Sequence, residues 1–133
     1  PTADVIIKNC LATLVTSMLT LTVLCVCRFA VNICPNDKDV TLQINPRFRV
    51  HEDIETVVYN SCKGGSWGKE MRDTAFPFVQ EQEFKMVIKF NSEEFVVRLS
   101  DGLSFPFKIP PDVKDWPIII FNGDVRIKSI KIN

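Results

Sequence analysis

The sequence has no excess of either charge, since 16 lysines and arginines balance 16 aspartates and glutamates. Neither half of the chain carries a long run of one sign. Proteins that bind nucleic acids usually concentrate positive charge on one face to hold phosphate groups. The balance therefore argues against nucleic acid as a partner.

Histidine and paired cysteines are also scarce, which leaves little chemistry for a metal site. The single histidine, His51, is predicted to lie in a surface loop. The cysteines lack the spacing of a zinc site or a disulfide scaffold, so we interpret them as reduced, small apolar side chains in a reducing compartment. We expect no metal and no cofactor. The cysteines are Cys10, Cys25, Cys27, Cys34 and Cys62.

Charged residues are absent between Lys8 and Arg28, over a length close to that of a membrane-spanning helix. The run contains several threonines, and its second half, residues 20–27, is rich in β-branched side chains. We predict two strands joined by a turn here, with a membrane span or an uncleaved signal as the alternative. Asp4 and the lack of a small-residue cleavage site weigh against a secretory signal. We therefore expect a cytosolic protein without membrane insertion.

No helical pattern of useful length occurs, and most of the chain instead alternates apolar and polar residues, as half-buried strands do. Residues 84–90 and 95–99 alternate in this way, and residues 91–93 and 101–102 are typical of turns. A change of phase near Ser129 predicts a bulge, and residues 110–115 form at most one helical turn. These features predict an all-β fold, a jelly-roll or β-sandwich of two antiparallel sheets, in a single domain over residues 1–133.

Polar side chains on three predicted strands are expected to form one shallow groove. In the first strand, the side chain at position 43 and those two and four residues later point away from the apolar positions. The next strand contributes an asparagine, and a third contributes a carboxylate and an arginine two residues apart. With the tryptophan that precedes the third strand, these residues are Gln43, Asn45, Arg47, Asn60, Trp67, Glu70 and Arg72.

This set of groups suits a sugar, which has many hydroxyls and one or two apolar CH faces. Trp67 supplies a flat aromatic ring for a CH face, and Glu70 accepts hydrogen bonds from hydroxyls while Arg47 and Arg72 keep it ionised. Two alternatives remain open: Trp67 covers the sandwich as a packing residue, or the arginines and Glu70 form an ordinary surface ion-pair network. Trp116, next to a proline, is assigned to packing.

Three motifs give the chain a family resemblance. They are Asn45-Pro46-Arg47, Val58-x-Asn60 and Trp67-Gly68-x-Glu70-x-Arg72. Over residues 20–133 this combination resembles the galectins, a family of β-galactoside-binding lectins. The resemblance implies a jelly-roll sandwich with one carbohydrate-recognition domain, no catalysis, no metal, and a homodimer joined through terminal strands. It also implies a cytoplasmic protein that is exported to the extracellular space without a signal peptide.

Two features depart from the family pattern. Gln43 stands where the family has a histidine, the group expected to recognise the axial 4-hydroxyl of galactose. An amide still donates to that oxygen, and losing one neutral hydrogen bond costs about 0.5–1.5 kcal/mol, or roughly three- to tenfold in affinity. The loop after Cys27 is shorter than is usual in the family, so the sheet edge beside the groove is expected to differ.

We therefore predict a non-catalytic lectin for β-galactosides such as lactose and N-acetyllactosamine, with weakened or altered specificity. One alternative is a galectin-like structural or protein-interaction protein that has lost sugar binding. The other is a glycosidase, which needs two carboxylates facing each other across the bond. Only Glu70 is predicted to lie in the groove, so hydrolysis is disfavoured.

Overall fold

The computed structural model describes residues 5–8, 17–50, 52–99, 102–113 and 115–132, which contain ten strands and no helix. Every strand pair among them is antiparallel, which confirms the all-β prediction. The strands are β1 (Val5–Lys8), β2 (Ser17–Cys34), β3 (Val40–Val50), β4 (Asp53–Lys63), β5 (Ser66–Trp67), β6 (Met71–Asp73), β7 (Glu83–Phe90), β8 (Glu94–Arg98), β9 (Ser104–Lys108) and β10 (Ile118–Ile132).

The 18-residue strand β2 organises the sheet. Along one edge it pairs with β10 over nearly its whole length. Along the other edge its first half, residues 17–24, pairs with β7, while its second half, residues 28–33, pairs with β3. The sheet therefore divides near residues 25–27 into two arms. One arm continues through β3 and β4 to β5 and β6, and the other through β7 and β8 to β9.

Aromatic contacts show that the two arms face each other. The ring of Tyr59 in β4 stacks on Phe105 in β9, with the centroids 3.9 Å apart and the planes at 2°. Phe29 in β2 contacts Phe84 in β7 at a centroid distance of 5.6 Å. The two layers of the predicted sandwich are thus one continuous sheet that doubles over, because β2 and β10 run through both layers.

The alternation predicted for residues 84–90 and 95–99, and the turn between them, are confirmed. In β7 the alternate apolar residues are buried and the lysines are exposed, and β8 buries Phe95 and Val97 in the same way. The side chain of Asn91 accepts hydrogen bonds from the backbone N–H groups of Glu93 and Glu94 at 2.8 and 3.0 Å, which closes the predicted turn. Trp116 is buried and meets Phe95 edge to face, as its assignment to packing predicts.

The two cysteines whose side chains are described, Cys34 and Cys62, are both free. Cys34 is buried, and this burial, with smaller contributions from Asp37 and Asp39, raises the pKa of its thiol to about 11. It therefore behaves as the small apolar side chain that the sequence predicts. The side chains of Cys10, Cys25 and Cys27 lie outside the described residues.

Other predictions fall partly or wholly on undescribed positions. His51, Asp101 and residues 9–16, which belong to the run predicted to form two strands and a turn, lie outside the described residues, and strands β1 and β2 lie on either side of residues 9–16. The backbone N–H of Val113 donates to the carbonyl of Pro110, so the predicted single turn begins there. No helix in the described part of the chain is long and apolar enough to span a membrane.

Strand β10 contains two register shifts, and the one between Ile127 and Ser129 confirms the predicted bulge. At the other, Gly123 pairs with Phe29 and Val125 with Cys25, so residues 26–28 of β2 lie opposite the single residue 124. The structure has no separate loop after Cys27, where a short one is expected. Strand β2 continues through this position and contains only a bulge. Gly123 has a φ of 99°, and a Cβ atom there would lie 2.7 Å from the carbonyl oxygen of Arg28.

We expect Gly123→Ala to destabilise the fold more than Gly102→Ala. Gly102 also has a positive φ, 82°, but nothing lies within 4 Å of a Cβ there, so its substitution carries only the conformational cost of about 1 kcal/mol. Gly123→Ala adds a backbone clash, and overpacking of a filled site typically costs about 1–3 kcal/mol more. Urea unfolding of both variants measures the difference. Equal losses would contradict the close approach of β10 to β2.

Candidate functional site

The register of three neighbouring strands brings the predicted groove residues together. Gln43 in β3 pairs with Asn60 in β4, and two residues further along β3, Asn45 pairs with Val58. Val58 pairs in turn with Arg72 in β6. The polar side chains of these strands therefore share one face of the sheet, as the sequence predicts. We call this face, formed by Gln43, Asn45, Arg47, Asn60, Trp67, Glu70 and Arg72, the polar groove.

A tight hairpin carries Trp67 at one end of the polar groove. Gly64 and Gly65 have φ values of 60° and 83°, the positive values that the commonest two-residue turn requires, and they bring Cys62 opposite Trp67. The indole is 50% exposed, so the interpretation of Trp67 as a cover for the sandwich is wrong. A Cβ atom on Gly68 would lie 3.3 Å from Asn60 Oδ1, so the chain passes Asn60 directly after the tryptophan.

The two asparagines of the polar groove are buried and help to build it. Asn45 Nδ2 donates to the carbonyl of Phe29 at 2.6 Å, and Asn45 Oδ1 accepts from Arg47 Nε at 2.8 Å. Asn45 thereby joins β3 to β2 and fixes one edge of the guanidinium. Asn60 Oδ1 accepts from the backbone N–H of Ser61 at 2.8 Å, and Nδ2 has no partner among the described residues. The sequence predicts Asn45 to face solvent, but its amide is already bonded within the fold.

Two arginines and two carboxylates form a closed ring of ion pairs. Arg47 Nη1 lies 2.6 Å from Asp53 Oδ2, and Arg47 Nη2 lies 3.6 Å from Glu70 Oε2. Arg72 Nε and Nη2 contact Asp53 Oδ1 at 3.0 Å and Glu70 Oε1 at 2.9 Å. Each arginine is therefore held between the same two carboxylates, which orients all four side chains.

The ring also stabilises the charges of its members. The hydrogen bond from Arg72 is the largest cause of a lowered Asp53 pKa, and the bond from Arg47 adds to it against the opposing effect of burial. Hydrogen bonds to Asp53 and then to Glu70 raise the pKa of Arg72. Asp53 and Arg72 therefore both remain charged at neutral pH.

The side-chain amide of Gln43 is hydrogen-bonded to a residue of the neighbouring strand β2. Its Nε2 donates to Asn32 Oδ1 at 2.9 Å. Asn32, which is 4% exposed, donates through Nδ2 to the carbonyl of Ile120 at 3.1 Å and to Asn122 Oδ1 at 3.4 Å. Three polar side chains on adjacent strands therefore connect β10 to the polar groove through β2.

Comparisons with known proteins agree with this geometry. Residues 12–132 match the family model described as galactoside-binding lectin. A β-galactoside-binding lectin of Electrophorus electricus is 45% identical over 104 residues, which cover 78% of this chain and 76% of that protein. The chain belongs to the galectin family.

Further relatives extend the likeness to the whole fold. Galectin-1 of Ovis aries is 37% identical over 102 residues, which cover 77% of this galectin and 76% of the relative. The crystal structure of Dario rerio galectin-1-L2 superposes with a TM-score of 0.89 at 38% identity, covering 97% of this chain and 99% of that one. The family resemblance inferred from the motifs is therefore confirmed.

The structure of this galectin adds two groove residues that sequence reasoning missed. The prediction that Glu70 is the only carboxylate of the groove is wrong, because Asp53 lies beside it between the two arginines. Glu55 has a φ of 46°, which interrupts the regular alternation of β4 close to Asp53. Asn32 pairs with Gln43 in register. The sequence signal that could have revealed Asn32 is a single polar residue in the otherwise apolar segment 29–34.

The donor set of the groove suits hydrogen bonding rather than metal coordination. Within the described residues, no group of three or more histidine, cysteine, aspartate or glutamate side chains is arranged to hold a metal ion. Asp53 has both oxygens engaged by arginines. What remains available is a half-exposed indole, unused N–H groups on Asn60 and the arginines, and one weakly engaged oxygen of Glu70.

We expect the contribution of Asp53 to stability to depend on pH in one direction. Because its folded-state pKa is lowered, the stabilisation is complete above the ordinary aspartate pKa of about 4 and is lost as the pH falls through the lowered value. Asp53→Asn should therefore be less stable than the wild type at pH 7, and the difference should shrink towards pH 2.5. Urea unfolding across this range measures it, with Asp124→Asn at an exposed carboxylate as the control. A difference that grows on acidification would contradict the network.

Proposed function

We propose that this galectin is a non-catalytic lectin that binds β-galactosides such as lactose and N-acetyllactosamine in the polar groove. The observation that carries the proposal is the indole of Trp67, half exposed on a tight hairpin beside a set of pre-ordered hydrogen-bonding groups. An exposed aromatic plate next to fixed polar groups matches the apolar CH face and the hydroxyls of a sugar. Family membership supports the same ligand class.

The groups left unused in the ion-pair ring define what the groove offers a sugar. An arginine has five N–H donors, and Arg47 directs three of its nitrogens at Asn45, Asp53 and Glu70. The remaining N–H groups keep a fixed direction because the guanidinium is rigid. Glu70 Oε2 lies 3.6 Å from Arg47, beyond a normal hydrogen bond, so it retains capacity to accept from a hydroxyl. The groove therefore presents donors and an acceptor without reorganising.

Electrostatics support binding rather than hydrolysis. A glycosidase needs a carboxylic acid whose pKa is raised so that it protonates the leaving oxygen. Asp53 has a lowered pKa, and both Asp53 and Glu70 are bonded to Arg72. Any turnover of a chromogenic galactoside that is lost in Glu70→Gln would contradict this part of the proposal.

We extend the proposal to a homodimer that cross-links glycoproteins, since two weak sites in one assembly gain affinity by avidity. Strand β1 pairs with β10 on one side and has no partner strand on its other side among the described elements. Ile6 in this strand is 54% exposed, which supports pairing through terminal strands. The free Cys34 and Cys62 suit a cytoplasmic protein, from which signal-independent secretion delivers the lectin to glycans outside the cell.

We expect Trp67→Ala to weaken lactose binding by at least about tenfold, equivalent to about 1.4 kcal/mol, because the apolar face of the sugar loses its contact. Isothermal titration with lactose measures the change. Met71→Ala is the matched control, since Met71 is also an exposed apolar residue close to the groove but belongs to no predicted sugar contact. If the wild type itself fails to bind lactose, the alternative of a galectin-like interaction protein without sugar binding is favoured.

We expect Gln43→His to raise affinity for lactose by about three- to tenfold, because the imidazole restores the group that the family pattern places at the 4-hydroxyl. Gln43→Ala should lower the affinity for lactose below that of the wild type, and it serves as the comparison for loss of the side chain. The same titration also compares glucose, since the position is expected to discriminate at the 4-hydroxyl. Unchanged affinity in Gln43→His would show that this substitution is not the cause of weakened binding.

A further inference from the structure

The Gln43 amide has a donor end and an acceptor end of nearly equal size, and the end that faces the polar groove decides what a sugar hydroxyl meets there. Strand β3 lies between β2 and β4. Gln43 Nε2 is bonded to Asn32 on the β2 side at 2.9 Å. The carbonyl oxygen of the amide therefore points to the β4 side, where Asn60 pairs with Gln43.

The direction of this amide is set by a backbone group that has only one hydrogen-bonding role. The Ile120 carbonyl only accepts, so the side chain of Asn32 must turn Nδ2 towards it. Asn32 Oδ1 then faces Gln43 and requires Nε2 as its partner. Reversing either amide would bring two oxygens together at about hydrogen-bond distance, in a place where Asn32 is 4% exposed and water gives little compensation.

We infer that Asn32 is a positioning residue that fixes the Gln43 carbonyl oxygen as an acceptor for a sugar hydroxyl in the groove. The inference rests on the proposed function and identifies what the site selects: a hydroxyl that donates at the position Gln43 reaches, the 4-hydroxyl of galactose in the family pattern. It assigns the opposite polarity to the donor role expected for this amide from the sequence. No described residue donates to Gln43 Oε1, so the oxygen is available to the ligand.

A sugar that lacks the donating proton tests the polarity. Lactose is compared with its analogue in which fluorine replaces the galactose 4-hydroxyl, because fluorine cannot donate and is repelled by a carbonyl oxygen. We expect the wild type to bind the analogue at least about three- to tenfold more weakly than lactose. In Asn32→Ala the Gln43 amide turns freely, and the penalty should shrink by at least about threefold. Asn122→Ala leaves the bond from Asn32 to the Ile120 carbonyl in place and should retain the wild-type penalty.

A second measurement reads the amide without any sugar. In ¹⁵N-labelled protein, the side-chain NH₂ signals of Gln43 should shift in Asn32→Ala. They should stay in place in Asn122→Ala, which leaves the Ile120 carbonyl bonded to Asn32. If Asn32→Ala does not fold, Asn32→Leu removes the acceptor at similar volume.

The outcomes separate this inference from the proposed function. Equal fluorine penalties in Asn32→Ala and Asn122→Ala, or Gln43 NH₂ signals that do not change in Asn32→Ala, would overturn the positioning role. Absence of lactose binding by the wild type would overturn the proposed function, while the NH₂ signals would still decide the direction of the amide.

Discussion

The continuous pairing of β2 with β10 is the constraint on which both the fold and the groove depend. Because β2 runs through both layers, each arm of the sheet begins from the same strand and the two arms must fold over a shared core. The same strand supplies the Phe29 carbonyl that holds Asn45 and the Asn32 amide that holds Gln43. Gly123 allows β10 to follow β2 at the bend, where a side chain would meet the backbone. The buried part of the groove is therefore anchored to the strand that runs through both layers.

The exposed charged side chains of the polar groove are held differently from its buried asparagines. Glu70 and Arg72 have half-exposed side chains, and exposed ion pairs individually add little to stability. Their value lies in orientation, since each guanidinium is held by two carboxylates and each carboxylate by arginine. Pre-ordered donors reduce the entropy lost when a ligand binds. The buried asparagines contribute rigidity, and the exposed charged groups contribute contacts that a ligand can reach.

The sequence predicts those features that depend on local pattern. The alternation in β7, the Asn91 turn and the bulge near Ser129 follow from residues within one or two strands, and the groove motifs follow from strand phase. Asp53 was missed because a positive φ at Glu55 breaks that phase, and local composition does not reveal it. Asn32 was missed because its role depends on the register between β2, β3 and β10, which joins residues about 90 positions apart in sequence. The doubling of one sheet into two layers has the same non-local origin.

The contrasting environments of the two tryptophans give the molecule two built-in optical reporters. Trp116 is sealed between Phe90 and Phe95, whereas the Trp67 indole is half open to solvent at the edge of the groove. An indole in apolar surroundings emits at shorter wavelength than one in contact with water. The short-wavelength part of the emission spectrum therefore reports unfolding of the core around Trp116. The long-wavelength part reports binding of a ligand in the polar groove beside Trp67. Titration and denaturation are distinguishable in a single unlabelled sample.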